Sequence, residues 1–591
     1  MDVSTDTQDE QCRFYFTHCR FSITKGFNAF HAQSASLPLS AMRKASAVLL
    51  ALWLSACSQD EGSTTTAEAG GTLVISTTGD PGTLLPPLVR TTQGKQISEQ
   101  IYDYLADVGP EMNTRGEKGF RPQLTDGWRW SSDSLSLAFH LNPRARWHDG
   151  KAVTAHDVKF TFALNKNPVL GSMFLSELAN IDSVTESDSL TAVFWFHQRL
   201  PTQFLDAAAQ LLILPAHQLD GIDLTRLREA PPPPIGTGRF RLRRWNKGTS
   251  VEIVADSSNY RGRAKLDRVI WSISPEFTTA VTRLFSGDAD LFDALTAENL
   301  PELARHANLR AILLPGTDYA FLQFNLRDPG KRTQPHPLFR DRSLRRAIAM
   351  SIDRHALVRS VLDTLGLVAV GPTVRAFPTT DTVVSQIAFD SARGSAILDS
   401  LGWSRRDARG IRTKNGRELA FNLLVPTSSK NRKRLAVLLQ EQLRIMGIRV
   451  NVEQMGNSAL MARQQAHSFD AVLGGWHLGA SPDGTRLAWT SAGSGKGGTN
   501  YGSYENPIFD AQLDSALLSD PEHAKGRFTL AYGTINQDAP AVWLYEPRTA
   551  IGLHRRIRTG WMRPDAWWAD LADWSIPASE RLTRDGISSG R

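Results

Sequence analysis

Few residues in this 591-residue chain have the type and spacing that covalent or metal chemistry needs. The segment Gly493–Gly498 matches the G-x-G-x-x-G spacing of a dinucleotide loop. It lies in a Gly/Ser/Thr stretch and opens no predicted helix, so it lacks the helix N-terminus that holds a phosphate. His148 and His156 have no third ligand at a zinc-like spacing, and no G-x-S-x-G motif is present. We therefore expect no enzyme, no metal site and no cofactor.

The cysteine with a recognisable context is Cys57, which ends the stretch Leu-Ser-Ala-Cys after the apolar run 45–54. The basic start 42–44, the short apolar core and the small residues before the cysteine are typical of an export signal. A core of about 10–12 residues is too short to span the ~30 Å hydrocarbon layer. The segment is similar to bacterial lipoprotein signals, and that resemblance implies that Cys57 is acylated and becomes the first mature residue.

This interpretation divides the N-terminal part of the chain. We expect residues 1–41 to be a non-native extension, 42–57 to be the signal with its lipidated cysteine, and 58–71 to be a flexible tether rich in Ser, Thr and Gly. The mature body then contains no cysteine pair, although export would permit disulfides. The expected location is the bacterial cell envelope, in the periplasm, with the protein anchored to a membrane by lipid.

The composition of the body is that of a globular protein. The chain is 41% hydrophobic and 21% charged, with a formal net charge of +7. A body of roughly 530 residues exceeds one hydrophobic core and predicts two or three lobes. Basic residues are concentrated at 239–244, 340–346 and 430–434, but no nucleic-acid recognition motif accompanies them. We expect no nucleic-acid partner, and we assign these runs to a solvated surface or to attraction to anionic lipid.

The periodicity of apolar residues predicts elements of both kinds, and strand–helix–strand order in the second half indicates an α/β protein with a parallel or mixed sheet. Thr154 and Asp157 have the spacing of a capping box ahead of a helix. The predicted strands are 72–76, 134–141, 239–245, 250–255, 421–425, 448–452 and 469–476, and the predicted helices are 97–105, 158–164, 342–362, 391–401 and 433–446.

Several blocks between about residues 72 and 546 resemble the extracytoplasmic solute-binding proteins (family 5) of oligopeptide and dipeptide ABC importers. The most specific is Arg121–Trp128 followed by Trp147–Phe160. The others are Thr237–Phe240 with Asn259-Tyr260, Tyr319–Asn325, His336–Phe339 with Arg345–Arg354, and Asn500–Pro507 with Phe509-Asp510.

The resemblance implies a three-lobed α/β fold of the periplasmic binding protein kind (class II, cluster C), with a hinge between two main lobes. Lobe I would comprise 72–109, 231–318 and 546–591, lobe II would be the insertion 110–230, and lobe III would be 319–545. The implied function is that of a monomeric receptor that encloses short peptides and delivers them to an ABC permease. The alternatives are the same role for a nickel chelate, an oligosaccharide or an opine, and an exported lipoprotein hydrolase.

The resemblance also implies a ligand site after the strand 469–473. There Gly474, Gly475, Trp476 and His477 would offer backbone partners to an extended ligand, with the tryptophan as an apolar wall or, alternatively, a core residue. Peptide binders of this family often carry an Asp three residues after this tryptophan, where this chain has Gly479. Asp483 would then bind the ligand ammonium, unless the ligand has no free amino terminus there.

Two further groups are candidate ligand contacts. Tyr319, Gln323 and Asn325 alternate along one predicted strand, which would turn them either to the cleft or to a solvent-facing edge. Asn500 and Tyr501 follow the Gly/Ser loop 491–498, which we expect to form a lid.

Overall fold

The computed structural model describes residues 70–495 and 497–586. The expected extension, the signal with Cys57 and nearly all of the tether lie outside these residues. The described residues all belong to one unit, which runs from Thr64. No helix within them is long and apolar enough to cross a membrane.

The strands are numbered β1 to β21 along the chain. They are Thr72–Thr77, Ala106–Val108, Phe120–Pro122, Thr125–Trp130, Ser136–Leu141, Ile181–Asp188, Thr191–Phe196, Phe240–Asn246, Ser250–Ala255, Arg268–Ile273, Leu291–Phe292, Leu309–Pro315, Asp318–Phe324, Gly366–Leu367, Arg405–Arg406, Arg412–Lys414, Arg417–Glu418, Ala420–Pro426, Arg449–Met455, Ala471–His477 and Ala541–His554.

The α-helices are numbered α1 to α15 in the same way. They are Thr92–Ile101, Ala155–Lys166, Gln203–Ala208, Ala216–Leu219, Leu224–Glu229, Phe277–Phe285, Leu300–Leu303, Arg342–Met350, Arg354–Leu362, Ser391–Ser400, Lys430–Ile445, Asn457–Gln465, Thr485–Trp489, Pro507–Leu517 and Pro521–Asp538.

A mixed sheet of 12 strands runs through the protein, in the order β19-β18-β20-β13-β21-β11-β1-β10-β9-β8, with β12 and β14 also paired to β21. The 14-residue strand β21 joins the two halves, since its first part pairs with β13 and its last part with β11 and β12. Strand β13 is therefore an interior strand, between β20 and β21. The expected lobe boundary at 545/546 falls inside β21.

The hydrophobic core follows the sheets. One large cluster fills the first half together with the four-stranded sheet β4-β5-β7-β6, which lies within the expected lobe II. In the second half, Leu322 and Leu473 belong to a cluster on one face of the sheet, while Phe321 and Trp543 belong to another. Because Phe321 and Leu322 are neighbours on one strand, their side chains point to opposite faces, and both faces are covered.

Most predicted elements are confirmed to within a few residues. The predicted capping box is present, and α2 begins directly after Thr154. The predicted helix 97–105 is wrong at its end, because α1 stops at Ile101. The predicted single helix 342–362 is also wrong. It is divided into α8 and α9 at Asp353, whose carboxylate accepts a hydrogen bond from the backbone N–H of Ala356 and so starts a new helix.

Candidate functional site

The second half of the large sheet contains a strand with one incomplete edge. Strand β20 pairs with β13 along its whole length, from Asp318 opposite His477 to Phe324 opposite Ala471. On its other side it pairs with β18 only at Ala471 and Val472. Beyond Val472, none of the described strands covers this edge, so its backbone groups are available to an extended ligand.

Hydrogen bonds at the two ends of the β13–β20 pair show which backbone groups face the open edge. The N–H of Leu478 donates to the carbonyl of Thr317 at 2.9 Å, and that of Asn325 donates to the carbonyl of Asp470 at 2.9 Å. Bonded and unbonded positions alternate in an antiparallel pair. Gly475 and His477 therefore direct their N–H and C=O groups away from β13, toward the open edge.

Trp476 and Tyr501 form an aromatic wall next to this edge. Their rings stack with centroids 6.2 Å apart and an interplanar angle of 30°. Tyr501 is buried, and Trp476 is only half-buried. The structure thus brings together two residues that the sequence places 25 positions apart. The half-exposed indole also packs against two core clusters, so it serves the core and remains available to a ligand.

His477 lies at the end of β20 that faces the first half of the chain. Its Nδ1 is 3.0 Å from Oδ1 of Asp318, and this hydrogen bond raises the pKa of His477 above its usual range. Asp565 reinforces that shift, whereas Lys95 opposes it. The charges of Lys95 in α1 and of Asp565 in the C-terminal segment thus both act on the imidazole.

The region after β20 contains Asp483, and Asp206 lies near enough to sense its charge. Gly479 is exposed and a side chain there would meet no atom within 4 Å, so steric crowding does not explain the missing carboxylate. Asp483 is 3.9 Å from Nη1 of Arg115, and its buried Oδ1 has no hydrogen-bond partner among the described residues. Burial raises the pKa of Asp483, and burial together with Asp483 raises the pKa of Asp206.

The side chains of Tyr319, Gln323 and Asn325 are buried and do not form a solvent-facing edge. They are 1%, 2% and 0% exposed, because other parts of the protein cover the face of the sheet to which they point. The Tyr319 hydroxyl accepts a hydrogen bond from Trp489 Nε1 at 2.8 Å, and the Asn325 amide donates to the carbonyls of His467 and Phe469. The alternative of a solvent-facing edge is wrong, and a role of these side chains as ligand contacts stays a prediction.

Asn500 is buried at the base of the expected lid and does not lie on the surface of the lid. Its side chain is 1% exposed and its amide donates to the carbonyls of Thr490 and Tyr504. The loop ahead of it contains a short 3-10 turn, Ser491–Ser494. Of this pair, Tyr501 is the residue that reaches the aromatic wall beside β20.

Three residues near the site were not predicted from the sequence. Arg432 lies over Gly475, in the basic run that was assigned to the surface. Arg115 and Asp206 belong to the expected lobe II, yet both approach Asp483. The basic run 430–434 was a visible signal, but nothing in the sequence indicates which of its residues turns inward.

Residues 119–498 match the family described as bacterial extracellular solute-binding proteins, family 5 (middle region), and this match covers more than half of the chain. The chain belongs to this family. Members of family 5 are transport receptors and not enzymes, so the hydrolase alternative is set aside. Within residues 70–495 and 497–586, no group of three His, Cys, Asp or Glu side chains is arranged to hold a metal ion.

The relatives of this family 5 protein include receptors with different cargoes. The oligopeptide-binding protein AppA of Bacillus subtilis is 26% identical over 545 residues, which are 88% of this chain and 97% of AppA. The structure of AppA in complex with a nonapeptide covers 86% of this chain and all of AppA, with a TM-score of 0.68 at 24% identity. NikZ of Campylobacter jejuni in complex with Ni(L-His) covers 85% of this chain and 99% of NikZ, with a TM-score of 0.68 at 22% identity. These structures have the same fold as the present chain.

Proposed function

We propose that this protein is the substrate-binding receptor of an ABC importer and that it captures short peptides along β20. The observation that carries the proposal is the open edge beyond Val472, where Gly475 and His477 present backbone groups without a strand partner among the described residues. Pairing with an open strand edge binds any extended peptide through its main chain, independently of its side chains. The ligand would be enclosed when the expected lobes I and III close about their hinge.

Two features beside the edge suit a peptide. Gly475 and His477 are two residues apart on β20, the spacing at which successive main-chain groups of an extended peptide pair with one edge of a strand. Trp476 and Tyr501 supply an apolar surface for side chains of varied shape. That AppA binds an oligopeptide supports this choice of cargo. A nickel chelate, an oligosaccharide or an opine would use the same cleft, and these solutes are alternative outcomes of the test.

The test is the substitution Trp476→Ala, read by native mass spectrometry of the purified protein with an equimolar pool of synthetic peptides. We expect peptide affinity to fall roughly 5-fold or more, because a stacked aromatic contact contributes about 1 kcal/mol beyond the area it buries. Expressed as free energy, the effect of the substitution on thermal stability should be much smaller than its effect on peptide binding. Trp195→Ala is the matched control, since Trp195 is an exposed tryptophan of strand β7. Unchanged peptide binding by Trp476→Ala would contradict the proposed site.

We also propose that Cys57 carries the lipid that anchors the receptor and that 58–71 lets the body reach the permease as a monomer. Support comes from the signal-like run 42–57 and from the family's extracellular placement. Cells expressing Cys57→Ser should release the protein from the membrane fraction and lose its labelling by radioactive palmitate. Cys12→Ser is the control, and this variant should keep both its location in the membrane fraction and its palmitate label. Membrane retention of Cys57→Ser would refute the anchor.

A further inference from the structure

A polar cavity is lined by residues of helix α1, strand β3 and the C-terminal segment 561–573. Its volume is about 180 Å³, several times the ~30 Å³ that one water molecule occupies. None of the described residues that line it belongs to β20 or to the aromatic wall of Trp476 and Tyr501. The cavity is therefore separate from the proposed peptide site, and it is large enough for a small solute.

Seven of the residues that line this cavity are charged, and five of them are engaged within the protein. Arg239 Nη1 donates to Asp573 Oδ2 at 2.7 Å. The remaining contacts are the ion pairs of Asp107 with Arg563 and of Arg261 with Asp103, and the hydrogen bonds that Glu99 accepts from Tyr104 and Trp568. The cavity therefore has two charged groups left for a solute.

Arg121 and Asp570 are these two groups. The Arg121 guanidinium lies over the ring of Trp561, 4.8 Å from the centroid, and forms no ion pair with a carboxylate among the described residues. Its charge acts on Asp570, although the two side chains are not paired. Burial, together with the charge of Asp573, raises the pKa of Asp570 to about 6. The nearby guanidinium groups thus compensate the Asp570 carboxylate only in part.

Trp561 positions both groups. Its ring faces the guanidinium of Arg121, and its backbone N–H donates to the carboxylate of Asp570. This carboxylate also lies against Gly560, where a Cβ atom would collide with Oδ2. A guanidinium stacked on an aromatic ring presents its fork of donors in a defined direction. One cation and one carboxyl group are therefore held in place beside the same cavity.

We propose that this cavity binds a free α-amino acid, whose carboxylate pairs with the Arg121 guanidinium and whose ammonium pairs with Asp570. A solute with both charges satisfies both groups, whereas a simple anion would meet Asp570 and a simple cation would meet Arg121. A guanidinium and a carboxylate form two parallel charge-assisted hydrogen bonds. Concave sites with a few convergent polar groups are typical of small-molecule binding. The protein would thus have a second solute site that does not depend on the peptide cleft.

The test compares three equimolar pools, made from amino acids with uncharged side chains: the free amino acids, their N-acetyl derivatives and their amides. Native mass spectrometry measures the binding of each pool to the full protein. The unsubstituted protein should bind the free amino acids roughly 10-fold or more tightly than either derivative, because each derivative lacks one charge. Arg121→Gln and Asp570→Asn should each weaken amino-acid binding by a similar factor. Arg129→Gln, at an exposed cation of β4, is the matched control and should keep full affinity.

Further variants separate this site from the peptide cleft. Trp476→Ala should keep its affinity for amino acids, and Asp570→Asn should keep its affinity for peptides. Arg121→Lys keeps the charge but loses the fork of donors, so its amino-acid affinity should be intermediate. This variant also serves if Arg121→Gln folds poorly, as judged by its melting temperature.

Two results would overturn the inference and leave the peptide receptor intact. The first is equal binding of all three pools, or of none, by the unsubstituted protein. The second is amino-acid binding that is lost in Trp476→Ala and retained in Asp570→Asn, which would assign the amino acid to the peptide cleft. Loss of peptide binding alone in Trp476→Ala supports both sites, since each then responds only to its own variant.

Discussion

Asp570 is a carboxyl group that the fold holds in an unfavourable charged state at neutral pH. Burial and the neighbouring charge of Asp573 raise its pKa from 3.8 to about 6, against the opposing charges of Arg121 and Arg239. The folded-state pKa is therefore above that of the unfolded chain. The stability linked to this proton is fully present below about pH 4 and is lost as the pH rises through about 6.

We expect Asp570→Asn to raise the melting temperature at pH 8, because the neutral amide removes the buried charge. At pH 4 the aspartic acid is already protonated, so the substitution should change little. Thermal unfolding monitored by circular dichroism at the two pH values measures the difference. Asp182→Asn, at an exposed position, is the control and should show no such pH dependence. An equal gain at pH 4 and pH 8 would show that packing, rather than ionisation, determines the effect.

At the scale of secondary structure, much of the region around the proposed ligand site could be predicted from the sequence. The strands β18, β19 and β20 and the amphipathic helix α11 follow from local periodicity and lie within a few residues of their predicted bounds. Gly474, Gly475 and Trp476 were identified through the resemblance of the chain to its family. Local pattern and family motif together thus predicted the strand that carries the proposed site.

What the sequence could not predict depends on neighbours that are distant along the chain. An alternating strand has the same pattern whether the face of its sheet meets solvent or protein, so the burial of Tyr319 and Gln323 could not be predicted without knowing what packs on that face. The division of the predicted helix 342–362 depends on the Asp353 carboxylate, which accepts a hydrogen bond from the backbone N–H of Ala356. This side-chain hydrogen bond competes with continuation of the preceding helix. Likewise, a basic run does not reveal that Arg432 alone turns over Gly475.

At the scale of the whole molecule, Arg115 forms hydrogen bonds between the expected lobe II and the expected lobe III. It is 1% exposed, and its Nη2 donates to the carbonyls of Ala516, Leu517 and Ser519 at the end of α14. Its guanidinium also lies over the ring of Phe528, 5.7 Å from the centroid. A cation suits the C-terminal end of a helix, where carbonyl groups are otherwise unpaired. This contact therefore holds together parts of the chain about 400 residues apart.

We expect Arg115→Ala to weaken ligand capture by loosening this connection. Each buried carbonyl that loses its donor without replacement costs about 1–3 kcal/mol, so the arrangement in which the two parts touch becomes less populated. Peptide dissociation, followed by stopped-flow tryptophan fluorescence with the peptide pool, should become faster. Small-angle scattering should give a larger radius of gyration for the unliganded variant. Lys118→Ala is the matched control, because Lys118 is an exposed cation of the same segment. If Arg115→Ala remains folded and releases peptide at the unsubstituted rate, the contact has no part in closure, and Arg115 serves only to cap α14.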